Sequence, residues 1–175
     1  MADIKQSHKT LFLEKETLRK GIELLFYAYR DFTNEADTVL FDIGLGRAHH
    51  RVIYFVGKNP GITVSDLLNI LRITKQSLSR VLSRLISEDY IYQKIGTIDK
   101  RQRLLFLSPK GNKLETKLTE IQCKRFANAY LETGATKVAG FEHVLNALLD
   151  KQPTRKRSMD KDFSSAVKTG EVERD

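Results

Sequence analysis

Residues 63 to 111 read TVSDLLNILRITKQSLSRVLSRLISEDYIYQKIGTIDKRQRLLFLSPKG, and that order of patterns leaves few folds open. A short helical stretch and a tight turn come first, then a longer helix and two strand-like runs about a charged connector. The longer helix is the best defined. Leu78, Val81, Leu82 and Leu85 recur at spacings of three and four, the period of a half-buried helix, and predict a helix over 74–88. Thr74 is placed to cap it, because a threonine hydroxyl accepts from the free amides of a first turn. In the preceding helix, Thr63 followed three residues later by Asp66 has the form of a capping box with Asp in place of Glu.

Beyond the helix, YIYQKI and RLLFL are rich in branched and aromatic residues, the composition of paired strands. GTIDKRQ between them is polar and contains Gly96, so the pair reads as a hairpin wing over about 92–107. Two helices joined by a few residues form a helix-turn-helix, whose second helix enters the DNA major groove. The side of the second helix away from its apolar stripe carries Gln76, Ser79, Arg80 and Ser83, with Thr74, Lys75, Ser77 and Arg84 beside them. These side chains can meet base edges and phosphates. At the wing tip, Lys100, Arg101 and Arg103 have the size and charge for a minor groove. From Ile70 to Gly111 there are nine Lys or Arg and three acids, a net of +6.

The segment resembles the winged helix-turn-helix of the MarR (multiple antibiotic resistance regulator) family. Thr74-Lys75-Gln76-Ser77-Leu78-Ser79-Arg80 is similar to the family's TKxxxSR pattern, and Asp99-Lys100-Arg101-Gln102-Arg103 to its wing signature of Asp, any, Arg, any, Arg. Leu107-Ser108-Pro109-Lys110-Gly111 stands where family members have LTxxG. The resemblance spans about residues 10 to 150. It implies a mostly α fold with a small β-hairpin wing, in which the first and last helices of two subunits interleave as a dimerisation layer. It further implies a transcriptional regulator that binds a pseudo-palindromic duplex as a homodimer and answers to a small aromatic or amphipathic effector. It gives Asp99 the task of orienting a wing arginine and leaves open whether Lys100 or Arg101 enters the minor groove. The alternative is a winged-helix module that binds another protein and whose basic face is incidental.

Length and charge agree with an anionic partner. The 175 residues fit one domain of ordinary size, and the net charge of +8 is concentrated in the winged segment. Expected boundaries are 1–44 for a first helix and connector, 45–111 for the winged region, 112–150 for the closing helices and 151–175 for a basic, mobile tail. A lone Cys123 cannot form an internal disulfide, which suits a reducing compartment. The polar start MADIKQSHK has no secretory signal and no apolar run reaches the ~18 residues of a membrane span, so a cytoplasmic protein with no membrane partner is expected.

In the first helix, Leu11, Leu18, Ile22, Leu25, Tyr29 and Phe32 step by seven, four, three, four and three, a heptad-like seam that calls for a partner helix. The same stripe can also pack within one subunit. A second helix begins near Leu45 and stops at Lys58-Asn59-Pro60-Gly61. Pro109 opens a long amphipathic helix, Gly134 breaks it, and Val138, Phe141, Leu145, Leu148 and Leu149 mark a shorter last helix. Leu11, Leu18, Ile22, Leu25, Phe141, Leu145 and Leu148 are the candidate dimer residues.

Tyr29, Phe32, Ile43, Arg47 and His50 are the candidate effector contacts, since aromatic and basic side chains can meet there, although core packing explains Tyr29 and Phe32 equally well. His49 and His50 are adjacent and point about 100° apart on a helix, so they do not share one metal. No serine elbow, carboxylate pair in a defined motif or Cys/His cluster is present, and neither catalysis nor a cofactor or metal is expected.

Overall fold

The computed structural model describes residues 13–97 and 99–150, and within them the chain divides at Ala129/Tyr130 into two compact units. The candidate dimer residue Leu11 and the 151–175 tail lie outside the described residues.

The first helix, α1 (Lys15–Phe41), runs nine residues beyond the end of its predicted seam. The reason is that the same face continues while its surroundings change. Where the seam ends, Thr33, Ala36 and Leu40 take over as a buried stripe at spacings of three and four. The Thr33 hydroxyl is satisfied by the carbonyls of Tyr29 and Arg30, both at 3.0 Å, so burying it leaves no orphan donor. Gly44, at φ +69°, ends the helix: its amide donates to Phe41 O at 2.9 Å and that of Leu45 to Leu40 O at 2.8 Å. This is the Schellman pattern, with Leu40 and Leu45 buried as its apolar pair.

Helix α2 (Arg47–Lys58) buries Val52, Ile53 and Val56. Strand β1 (Ile62–Thr63) follows, then α3 (Val64–Leu71), α4 (Lys75–Ser87), β2 (Ile91–Ile95) and β3 (Arg103–Leu107). The three strands form an antiparallel sheet in the order β1-β3-β2, with Ile62 opposite Leu105 and Ile91 opposite Leu107. The sequence reading anticipated two strands. The third is two residues long and carries no periodicity of its own; it exists because the Gly61 amide and Ile62 come into register with Leu105. Inner residues Ile91, Leu105 and Leu107 join Leu67, Leu78, Leu85 and the α2 stripe in one core.

The Leu107–Gly111 motif turns out to be a joint between α4 and the long helix α5 (Pro109–Thr133). Asp89, at φ +61°, turns the chain out of α4, and the buried Ser108 hydroxyl donates to its carbonyl at 2.5 Å. The same oxygen accepts from the Gly111 amide at 3.0 Å, capping α5. A Cβ at Gly111 would stand 2.0 Å from Tyr90 O, so only glycine lets the backbones approach this closely. Lys110 completes the joint: its ammonium donates to Glu88 O at 2.7 Å and lies over the Tyr90 ring. In the second unit, Gly134 at φ +81° separates α5 from α6 (Ala135–Leu148), and no α6 residue is buried.

Candidate nucleic-acid interface

Helix α4 is held from both sides. At its start the Thr74 hydroxyl accepts from the Ser77 amide at 3.1 Å, and α3 is capped likewise by Thr63 and the Asp66 amide. Asp66 also takes the Thr63 hydroxyl proton at 2.7 Å. The turn between the helices passes through Arg72 in the left-handed region at φ +50°, while Arg51 from α2 donates to Leu71 O at 3.2 Å. With Leu78, Leu82 and Leu85 locked in the core, Gln76, Ser79, Arg80 and Ser83 are left exposed along the opposite side, and Lys75 and Ser77 are exposed at the N-terminal end. Arg80 and Lys75 have no ion-pair partner among the described residues. Arg84 differs: its Nε donates to Glu88 Oε1 at 2.7 Å.

The wing tip is preorganised by Asp99. One carboxylate oxygen accepts from the Arg101 amide at 3.0 Å and from Arg101 Nε at 3.3 Å, while the Asp99 carbonyl takes the Gln102 amide at 3.0 Å. Gly96 permits the tight return, because a Cβ there would sit 2.7 Å from Asp99 O. The Arg101 side chain, 93% exposed, projects from this turn. Arg103 is turned back on the hairpin, donating to Lys100 O at 3.1 Å. Lys100 is exposed and makes no ion pair among the described residues.

The candidate effector residues are only partly brought together. Arg47 Nε meets Asp37 Oδ2 at 2.6 Å and its guanidinium lies 6.0 Å from the Tyr29 ring centre. His50 is half-buried and feels the charges of Asp37 and Glu115. Phe32 instead packs edge-to-face on Phe126 of α5 at 5.5 Å, and Ile43 is exposed in the connector after α1. Asp37 went unnoticed in the sequence; it follows Tyr29 by eight residues, on the same helix face, which is the signal that could have found it.

Burial pulls the His50 imidazole below its ordinary pKa, opposed by Asp37 and Glu115. His49 is lowered as well, by burial first and by Arg84 second. The Gly46 amide donates to His49 Nδ1 at 3.1 Å, which puts the ring proton on the other nitrogen. No group of three His, Cys, Asp or Glu suited to a metal occurs among the described residues, and none of the described helices is long and apolar enough to cross a membrane.

Of the candidate dimer residues, Leu18, Ile22 and Leu25 are 50%, 56% and 49% exposed in the single chain. Phe141 and Leu148 of α6 are exposed and Leu145 half-buried. Phe26 and Leu24 add to the uncovered apolar surface of α1.

A family model describing the MarR family matches residues 43–102. Over 152 residues the chain is 47% identical to the HTH-type transcriptional regulator PetP of Rhodobacter capsulatus, covering 87% of this chain and 92% of that protein. Among solved structures, FabT of Streptococcus pneumoniae in complex with DNA matches with a TM-score of 0.64 at 19% identity, over 75% of this chain and 94% of that one. A MarR transcriptional regulator from Methanosarcina mazei matches with a TM-score of 0.62 at 23% identity, over 81% of this chain and 92% of that one. At these identities the structural matches speak to the fold alone.

Proposed function

The chain belongs to the MarR family of transcriptional regulators, and from that membership we propose that it binds a pseudo-palindromic operator as a homodimer, reading one half-site with each α4. The observation that carries this reading is the pairing of a polar face on α4, Gln76, Ser79, Arg80 and Ser83, free of ion pairs among the described residues, with a wing arginine held outward by Asp99. Two recognition helices on a two-fold axis match half-sites about one helical turn apart. FabT, of the same fold, is known in complex with DNA. The exposed apolar seam on α1 supports the dimer, since Leu18, Ile22 and Leu25 are each half exposed and covering the remainder is worth roughly 1 kcal/mol apiece.

Asp99 grips Arg101 and not Lys100, so Arg101 is the residue we assign to the minor groove. Arg101→Ala then weakens operator binding and lowers the slope of log affinity against log salt by about one unit, whereas Lys100→Ala has the smaller effect. Anisotropy titrations of a labelled duplex over a salt series check this. Equal affinity for operator and an isolated half-site would overturn the dimeric reading, and the absence of a salt-dependent complex would favour a protein-interaction module. For the effector, the Tyr29, Asp37, Arg47 and His50 group supports a small aromatic acid. An incoming carboxylate has to take Arg47 from Asp37, and it changes operator affinity only through its preference for one arrangement of the two wings.

A further inference from the structure

Arg84 sits on α4 at the edge of the reading face. It follows Arg80 by four residues, about 40° around the helix, between that face and the flank of Val81 and Glu88. Its Nε is paired with Glu88 Oε1 at 2.7 Å. Its Nη2 reaches the connector between α1 and α2: a Cβ built on Gly44 would lie 2.9 Å from that nitrogen. His49, at the start of α2, feels the Arg84 charge. The guanidinium thus spans a carboxylate on α4 and the glycine that terminates α1.

We propose that Arg84 is a positioning residue that fixes the seat of α4 against the α1–α2 connector through Gly44, and that it does not contact DNA. Gly44 serves two ends here. Its positive φ closes the Schellman turn, and its missing side chain leaves room for the guanidinium. The connector also carries Ile43 and leads within three residues of Gly44 into Arg47, the partner of Asp37. A shift of the connector at Gly44 therefore meets the Arg84 guanidinium, whose planar fork lysine does not reproduce.

This inference rests on the DNA-reading function proposed above, and two experiments on the full chain separate the failures. In the first, a labelled duplex recovered by the wild-type protein from a randomised pool is titrated from about 50 to 200 mM salt, at a temperature where all variants are folded. Arg84→Ala weakens binding about tenfold with the wild-type salt slope, and Arg84→Lys does not restore it. Arg80→Ala, on the reading face, loses about one unit of slope. Loss of about one unit with Arg84→Ala, or recovery with Arg84→Lys, makes Arg84 a phosphate contact and overturns the proposal.

The second needs no DNA. Thermal melts of Gly44→Ala, Arg84→Ala and the double variant are non-additive, with a smaller loss from Gly44→Ala once the guanidinium is gone. Additive losses overturn the Gly44 contact. If the wild-type protein recovers no duplex, the DNA-reading function fails while the melts still decide whether Arg84 and Gly44 are coupled.

Discussion

Alanine at position 111 sets a methyl carbon 2.0 Å from the Tyr90 carbonyl oxygen, and the atom in its way is backbone, which yields poorly. The joint between α4 and α5 has to open. Gly111→Ala is expected to cost about 2 to 3 kcal/mol by urea unfolding, a value for overpacking at a rigid contact. The half-buried histidines give a second residue-scale effect. Both have pKa values below the ordinary 6.5, so the unfolded chain binds more protons in the interval beneath that value. Stability is therefore fully present above 6.5 and declines as the pH falls toward the depressed folded values. The melting temperature should drop between about pH 7.5 and about pH 5.5, with a shallower drop in His50→Gln.

At the scale of elements, α4 depends on its first turn, because Gln76 lies within a turn of the cap and Ser79 just beyond it. Thr74→Ala removes the oxygen that accepts from Ser77 and should destabilise by about 1 kcal/mol. Operator affinity should fall with it if the frayed turn carries Gln76 to the bases, as proposed above; parallel unfolding and anisotropy measurements check both. This cap was readable in the sequence, as were the buried stripe of α4, the strands flanking the wing, the Pro109 start and the Gly134 break. Each is written within a dozen residues. What escaped the sequence is written across distance. Strand β1 is defined by Leu105, more than forty residues on. Phe32 finds Phe126, and Glu35 pairs with Arg125, on a helix that starts after the wing. The approach of the Arg84 guanidinium to Gly44, forty residues before it, is of the same kind. The apolar seam of α1 stops at Phe32 in the sequence because its continuation on the same face is carried by Thr33 and Ala36, which an apolar period does not single out.

On the scale of the whole molecule, one face of α1 runs through two environments. Residues 15–30 of α1 are exposed on every side in the single chain, whereas Thr33, Ala36 and Leu40 are sealed in its core. Backbone amides of the first stretch owe their protection to whatever covers the seam; those of the second owe it to the winged core. Hydrogen–deuterium exchange should separate them by dilution. As the concentration falls through the dimer dissociation range, exchange of amides 18–30 should accelerate while that of 33–40 holds its rate. If both stretches slow and quicken together, the helix is one cooperative unit and the subunit cannot hold its core without its partner. If only the first responds, subunit exchange proceeds with the recognition helices still folded, and a regulator of this design can trade partners without losing its grip on its own fold.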